Sequence, residues 1–274
     1  MTATGFGLLG ATVVYAAGSP ARQLPRKTTQ LLAMLLVGRG EFVATDRIVG
    51  ALWGEEPPSS ARTMVREHVQ RVRSVLGPAD REWLSTGRNG YVLSAPPEAV
   101  DARRFESGLE AAAAQRAVAD PWAAAATLRE ALALWRGTSA FADVLDVPAL
   151  RVEATRLDER RQSAQLALAE CLIERGTADA ALPVLRALVE AHPDRERHWA
   201  VLMLAESALG CRPEASASYR RARRSFRDRH GMDLSADVDA LHSAVLAGRS
   251  TAELARLAGL RLAAESADRP AVLS

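Results

Sequence analysis

The fold is decided by the stretch Ser59-Ser60-Ala61-Arg62-Thr63-Met64-Val65-Arg66-Glu67-His68-Val69-Gln70-Arg71-Val72-Arg73-Ser74-Val75-Leu76. Pro57-Pro58 precedes it and cannot continue a helix, whereas Ser59 or Ser60 can supply an N-cap oxygen. Gly77-Pro78 follows it and is typical of a helix C-terminus. This punctuation predicts one continuous helix over residues 59–76.

The predicted helix has two unlike faces. At ~100° per residue, one flank is apolar and is predicted to be buried; it consists of Ala61, Val65, Val69, Val72 and Leu76. The opposite flank is polar, with arginines at its margins; it consists of Thr63, Arg66, Glu67, Gln70 and Ser74, flanked by Arg62, Arg71 and Arg73. This mixture suits a helix that reads base edges between two phosphate strands. A solvated amphipathic helix is the alternative that the segment alone leaves open. His68 lies toward the core side and is interpreted as structural.

Composition and charge indicate a soluble intracellular protein. The length of 274 residues favours two domains, and a hydrophobic content of 48% is ample for folded cores. Residues 1–96 hold 11 Lys/Arg against 7 Asp/Glu, so the positive excess lies with the helix above. No signal peptide or long apolar stretch is present, which predicts a cytoplasmic, nucleoid-associated protein without a membrane partner. Two isolated cysteines fit a reducing compartment.

The elements around this helix predict a small mixed domain. Short apolar runs at residues 6–9 and 11–15 indicate strands, with a turn at Gly18-Ser19-Pro20. Helices are predicted over 25–37 and over 47–53, the second capped by Thr45 or Asp46, with Phe42-Val43 as a short link. Strand-like runs at 83–85 and 91–93 flank a glycine-containing tip and predict a hairpin.

Three short motifs resemble the OmpR/PhoB type of winged helix-turn-helix. They are Leu52-Trp53-Gly54, then Val69-Gln70-Arg71-Val72-Arg73 before Leu76-Gly77, and Gly87-Arg88-Asn89-Gly90-Tyr91. The resemblance implies that the helix over 59–76 enters the major groove of DNA and that the hairpin is the wing. The chain departs from the pattern at Gln70, where arginine is common and where glutamine could prefer adenine. It also carries Arg88 inside the glycine pair of the wing.

The resemblance implies a set of DNA contacts. The outer face of the helix would meet the major groove through Thr63, Arg66, Glu67, Gln70 and Ser74. Phosphates or base edges beside it would be reached by Arg62, Arg71 and Arg73. The wing would follow the backbone or the minor groove through Thr86, Arg88 and Asn89. Two further cations near a helix N-terminus would clamp phosphates, namely Arg26 and Lys27.

The rest of the chain is predicted to be all-helical. Residues 94–98 have the composition of a short linker. Beyond it, helices are predicted over 103–118, 121–135, 148–175, 177–191, 195–209, 213–230 and 236–247, with a short one possible over 251–264. Helix pairs recur about every 34 residues, as from Gly176 to Gly210, which resembles tetratricopeptide units with a groove for another protein or a small ligand.

Several phrases of this helical part are similar to the bacterial transcriptional activation domain of the Streptomyces antibiotic regulatory protein (SARP) family. They are Asp101-Ala102-Arg103-Arg104-Phe105, the run from Ala124 to Gly137, His192-Pro193-Asp194-Arg195-Glu196-Arg197 and the run from Ala217 to Arg224. The resemblance implies a mostly α protein: a winged helix-turn-helix over 1–96, a tetratricopeptide-like domain over 101–247 and a tail over 248–274. It further implies an activator of a secondary-metabolite gene cluster that binds direct repeats near the −35 region as a homodimer and recruits RNA polymerase holoenzyme.

Other functions are less well supported by the sequence. The arginine run from Arg220 to Arg229 could be a second nucleic-acid patch, but its interleaved Tyr219, Ala222 and Phe226 favour a solvated repeat face. The histidines show no metal-ligand spacing and no nucleophile motif is present, so we expect no enzyme activity, metal or cofactor. A repressor of the same fold, or a helical scaffold that does not bind DNA, remains the alternative.

Overall fold

The computed structural model describes residues 4–15 and 22–260. The predicted turn at Gly18-Ser19-Pro20, and residues 261–274, lie outside the described residues. The N-terminal elements are β1 (Gly5–Gly7), β2 (Val13–Tyr15), α1 (Arg26–Val37), β3 (Val43–Ala44), α2 (Thr45–Trp53), α3 (Ala61–Val75), β4 (Leu84–Gly87) and β5 (Gly90–Leu93). The later helices are α4 (Asp101–Ala117), α5 (Pro121–Leu132), α6 (Pro148–Glu174), α7 (Ala178–Ala191), α8 (Glu196–Ala208), α9 (Arg212–His230), α10 (Ala236–Leu246) and α11 (Thr251–Leu257). The chain is thus mostly helical, with small N-terminal sheets, as predicted.

Helices α1, α2 and α3 enclose the first core. Helix α1 is buried from Thr28 to Leu36 and packs against both α2 and α3. The apolar stripe predicted for α3 is confirmed, since every member is no more than 4% exposed: Ala61, Val65, Val69, Val72 and Leu76. Burying five side chains on one flank fixes which flank of α3 faces outward.

The helix starts differ from the prediction. Helix α2 begins at Thr45 itself, and no side chain caps it, so the expected cap by Thr45 or Asp46 is wrong. Ser60 precedes α3, but its hydroxyl accepts no capping hydrogen bond, and Ser59 is exposed outside the helix. Ser60 already has a ψ of 2°, whereas a capping side chain needs an extended residue at this position.

The wing belongs to a three-stranded antiparallel sheet in the order β3-β5-β4. The predicted hairpin is confirmed by the pairing of Gly87 with Gly90 and of Leu84 with Leu93. The predicted link at Phe42-Val43 is wrong, because Val43 begins strand β3 and pairs with Tyr91. A strand of two residues has no periodicity of its own, so only its partner reveals it.

The segment 94–98, which has the composition of a short linker, is partly packed. Ala95 is buried, residues 97–99 form a 3₁₀ turn, and Val100 bridges to Phe6 of β1. The Asp101 carboxylate accepts hydrogen bonds from the backbone amides of Leu8 at 2.7 Å and Leu9 at 3.2 Å. Burial raises the pKa of Asp101, although these amides and Arg136 oppose the shift. The chain is therefore fastened to the turn after β1 directly beyond the segment with linker composition.

The segment between α5 and α6 continues this attachment. Its backbone amides donate to the turn between β1 and β2: Arg136 to Leu9 at 2.8 Å, Phe141 to Leu8 at 2.9 Å and Ala142 to Gly10 at 3.0 Å. We call these bonds, together with those of Asp101, the N-terminal ladder. The ladder joins groups that are more than 90 residues apart in sequence, so no local pattern predicts it.

Two compact units are distinguished by their internal contacts. The first comprises the described residues up to 108 together with 130–161, and the second comprises 109–129 together with 162–260. These borders differ from the predicted division into 1–96, 101–247 and 248–274, which stays a prediction.

The second unit is built from successive packed helices. Helix α7 packs on α8, α8 on α9 and α9 on α10, and α11 packs on α8 and α10. Helix α8 is buried from His198 to Glu206 and forms the centre. Gly176 and Gly210, which gave the repeat spacing, have φ of 76° and 78°, values that a side chain disfavours. Within the described ranges, no helix is long and apolar enough to cross a membrane.

Candidate nucleic-acid interface

The outer face of α3 is free of packing. Its predicted base-reading residues are all exposed, and they are Thr63, Arg66, Glu67, Gln70 and Ser74. Arg71 at the margin is exposed too, and Glu67 is the only acid on the helix. Because the opposite flank is buried in the core, this row is held outward in one direction, as direct readout of a groove requires.

Arg62, at the start of α3, forms an ion pair with Asp46 of α2. Its guanidinium Nη2 lies 2.7 Å from the Asp46 Oδ1, and both side chains are at least 60% exposed. Exposed pairs of this kind contribute little to stability and are screened by salt. A DNA phosphate that binds Arg62 would nevertheless have to displace the Asp46 carboxylate. The sequence analysis did not predict this ion pair.

Arg73, in the last turn of α3, connects the helix to the wing. Its guanidinium donates to Thr86 Oγ1 at 2.7 Å and to the carbonyl oxygen of Leu84 at 3.2 Å. Two predicted DNA-binding residues, Arg73 and Thr86, are thus brought together and bonded to each other. Arg73 is half-buried, and its geometry is that of a side chain that positions β4 relative to α3.

The wing tip presents the two exposed side chains of Arg88 and Asn89. The Asn89 carbonyl accepts a hydrogen bond from the amide of Thr45 at 2.9 Å, which fastens the tip to the start of α2. The exposed Phe42 ring lies over the wing glycines, since a Cβ atom on Gly90 would be 2.5 Å from Phe42 Cζ. The glycine pair of the wing motif therefore makes room for this aromatic cover.

Arg26 and Lys27 lie together at the start of α1, and both have protein partners. The Lys27 ammonium donates to the carbonyl oxygen of Leu52 near the end of α2 and lies 5.7 Å from the Trp53 ring centroid. Arg26 is 3.2 Å from Asp146. Burial alone would raise the pKa of Asp146, but hydrogen bonds from Gln30 and Arg26 outweigh it and lower the pKa. A phosphate role for either cation stays a prediction.

Comparisons with protein families agree with this architecture. Residues 19–93 match the family described as "Transcriptional regulatory protein, C terminal", and residues 100–246 match the "Bacterial transcriptional activator domain". The chain belongs to the SARP family. The order of the two SARP domains is the one expected from the sequence motifs.

Individual SARP relatives resemble most of the chain. Regulatory protein DnrI of Streptomyces peucetius is 31% identical over 250 residues, which cover 87% of this chain and 90% of DnrI. Transcriptional regulatory protein EmbR of Mycobacterium tuberculosis is 35% identical over 248 residues, or 88% of this chain, and the match spans 63% of EmbR. A solved structure of that EmbR in complex with a low affinity phosphopeptide superposes with a TM-score of 0.86 at 31% identity, covering 94% of this chain and 70% of EmbR. The matched families and relatives are transcriptional regulators and not enzymes, in agreement with the expectation from the sequence.

His68 has the structural role that was expected for it in this SARP protein. It is 6% exposed on the buried side of α3, and its Nδ1 lies 3.0 Å from Thr28 Oγ1. Burial, helped by the charge of Arg71, lowers the pKa of His68 below its ordinary value of 6.5. The ring is therefore held neutral in the core, where it cannot contact DNA.

The described part of the chain shows neither a metal-binding cluster nor a disulfide. No group of three or more His, Cys, Asp or Glu side chains there could hold a metal ion. Both cysteines are free, and burial raises the pKa of Cys171 to about 11. Cys171 is thus an inert buried thiol rather than a nucleophile.

Proposed function

We propose that this SARP protein is a sequence-specific DNA-binding activator whose helix α3 enters the major groove. The observation that carries the proposal is the row of exposed polar side chains along α3, opposite its buried stripe. Arginine and glutamine make bidentate bonds to guanine and adenine edges. Arg66 and Gln70, one helical turn apart, therefore supply direct readout.

The wing supplies the backbone contacts in this proposal. Arg88 and Asn89 at its tip follow the phosphates or the minor groove, while Arg62 and Arg71 contact phosphates beside α3. Each phosphate that an arginine neutralises releases counterions, so the affinity falls steeply with salt. Arg73 acts on the wing through Thr86 and the Leu84 carbonyl, so that its removal would misplace Arg88.

The resemblance to SARP proteins suggests which step of transcription the protein regulates. The protein acts on the nucleoid, binds direct repeats near the −35 region as a homodimer, and recruits RNA polymerase holoenzyme to a secondary-metabolite gene cluster. Support comes from the matched activator domain and from DnrI, a regulatory protein similar over 87% of this chain.

A gel-shift titration against the promoters neighbouring its own gene tests the DNA-binding part. We expect stepwise complexes that survive random competitor DNA and weaken between 50 and 200 mM salt by about a hundredfold or more. Arg66→Ala should reduce operator affinity by about tenfold or more, equivalent to the ~1–3 kcal/mol of a bidentate contact.

Arg104→Ala is the matched control, because Arg104 is also an exposed arginine but lies on α4. Equal losses in both variants would contradict the groove assignment. Absence of specific binding would leave the helical scaffold, and binding that lowers transcription in a reconstituted reaction with RNA polymerase would show a repressor.

A further inference from the structure

A groove in the second unit lies between the end of α7, the start of α8 and the middle of α9. Its volume is about 340 Å³. Val189, Pro193 and Trp199 form its apolar wall. The charged residues of its rim come mostly from α9; the rim consists of Glu190, Arg221, Arg224, Asp228 and Arg229. None of its lining residues is among those proposed to contact DNA.

Four arginines of α9 form two pairs that differ in their partners. Arg223 and Arg227 face Asp233 and pair with it at 3.6 Å and 2.8 Å. Arg224 and Arg229 line the groove, and within the part of the chain that the structure describes no carboxylate lies within 4 Å of either. Arg223 and Arg227 thus share a carboxylate partner, whereas Arg224 and Arg229 keep their guanidinium groups available on a rim that holds three arginines against two carboxylates.

The wall of the groove is rigid. Trp199 is 2% exposed, and its indole Nε1 donates to the carbonyl oxygen of Pro193 at 3.0 Å. The Arg221 guanidinium lies 5.4 Å from the Trp199 ring centroid. The cation–π contact holds Arg221 against the wall, so the groove combines a fixed apolar surface with the unpaired cations of Arg224 and Arg229.

We propose that this groove binds an acidic segment of another protein. Carboxylates of the segment pair with Arg224 and Arg229, and an apolar side chain between them packs against the partly exposed Pro193, which lies over the buried Val189 and Trp199. Charge-assisted hydrogen bonds from arginine to carboxylate favour this pairing. The chemistry required of the partner is acidic residues interrupted by an aliphatic one.

An extended peptide fits the groove better than a free carboxylic acid does. Five of the nine lining residues are exposed, so a small ligand would stay largely in water and its ion pairs would be weak. A peptide makes further contacts on both sides of the groove, and these contacts add to the binding free energy that a single carboxylate would supply.

The same rim disfavours duplex DNA. Glu190 and Asp228 stand among the arginines, and each DNA strand carries phosphates at regular intervals that cannot avoid them. A peptide can place a neutral residue opposite these two acids. A peptide-binding groove therefore differs from a second nucleic-acid patch, because its two acids repel the phosphates of DNA.

Fluorescence anisotropy with the full chain tests the proposal, using the labelled peptide Glu-Glu-Leu-Glu-Glu-Leu as probe. We expect saturable binding that is lost when glutamine replaces each glutamate of the probe. Arg224→Glu and Arg229→Glu should each weaken binding by about tenfold or more, because each inverts a charge that faces the ligand.

Arg220→Glu is the matched control. Arg220 is an exposed arginine of α9 about one turn before Arg224, it makes the same charge change, and it does not line the groove. Its effect should stay below about twofold, and circular dichroism should show all variants folded. No saturable binding of the acidic probe, or an equal loss in Arg220→Glu, would overturn the proposal.

Competition with duplex DNA tests whether the groove binds nucleic acid instead of a peptide. Random duplex should not displace the peptide at concentrations that leave α3 unsaturated, and Arg224→Glu should leave operator affinity unchanged. Displacement together with loss of operator affinity in Arg224→Glu would overturn the peptide proposal in favour of a nucleic-acid patch. A failure of operator binding in the wild type alone would contradict the proposed function and leave the groove result intact.

Discussion

Val69 and Gln70 are adjacent in α3 and have opposite surroundings. Val69 is 1% exposed and packs into the core, whereas Gln70 is exposed on the outer face. Successive residues of a helix point ~100° apart. Val69 therefore serves the stability of the fold, and its neighbour Gln70 is free for recognition. A substitution at Gln70 can therefore change the sequence that is read without disturbing the fold.

Gln70→Arg should move the base preference from adenine to guanine at one operator position. Glutamine pairs with the N6 and N7 of adenine, and arginine pairs with the O6 and N7 of guanine. The change in discrimination should reach about 1–3 kcal/mol, measured by titrating operators that differ at that position. An unchanged preference with unchanged affinity would show that Gln70 does not face a base.

His68 should make folding stability depend on pH. Its pKa is lowered in the folded protein, so the unfolded chain binds protons more readily. The contribution is fully present above pH 6.5, the ordinary value, and is lost as the pH falls below it. Urea unfolding at about pH 7.5 and pH 5.5 should show a smaller loss of stability in His68→Gln than in the wild type.

His198 and His242 also have pKa values lowered chiefly by burial, so part of the pH dependence should remain in that variant. An identical slope in the wild type and His68→Gln would mean that His68 does not titrate in this range.

At the scale of elements, strands β3 and β5 of the wing sheet approach closely at Gly90. A Cβ atom on Gly90 would lie 2.3 Å from the carbonyl oxygen of Val43, which is backbone and cannot rotate away. Strand β3 would have to separate from β5 at this point. The second glycine of the wing motif is therefore needed for sheet pairing, independently of any contact with DNA.

Gly90→Ala should destabilise the protein by about 2 kcal/mol, the usual range of overpacking. Thermal unfolding measures the loss. Gly50→Ala is the control on α2: its Cβ would meet nothing within 4 Å, and it should stabilise the helix by about 1 kcal/mol. Equal effects of the two substitutions would show that β3 can shift without cost.

Elements with a strong internal period were predictable from the sequence, and elements made by distant partners were not. The stripe of α3 and the hairpin around Arg88 and Asn89 follow from local patterns. Strand β3 is formed by its pairing with β5. The partners of Arg62 and Arg73 lie on α2 and β4, and their positions are set by the tertiary fold. The outward face of the site was therefore predictable, whereas its internal ion pairs and hydrogen bonds were not.

At the scale of the whole molecule, the N-terminal ladder makes the start of the chain depend on residues beyond 100. Leu8 and Leu9 are at most 2% exposed, and their amides bond to Asp101. Unpaired buried amides cost about 1–3 kcal/mol each. A fragment that ends at residue 96 would leave these groups without partners.

We expect the fragment 1–96 to show no cooperative thermal transition by circular dichroism, although the family match for the winged helix ends at residue 93. In the full chain, Asp101→Ala should cost about 3 kcal/mol because it orphans two buried amides. Asp143→Ala, which removes a single bond to the Thr12 amide, should cost about 1 kcal/mol. A stable fragment, or a harmless Asp101→Ala, would show that the ladder is dispensable.

Lys27 is the only lysine in the sequence. Its ammonium bonds to the end of α2 and lies against Trp53, and it is the one lysine side chain that an amine-reactive reagent can modify. Acylation of that amine would remove its charge and disrupt the junction of α1 and α2. The extent of modification of the Lys27 peptide in mass spectrometry, measured apart from that of the α-amino group, would therefore report whether this junction is closed or open.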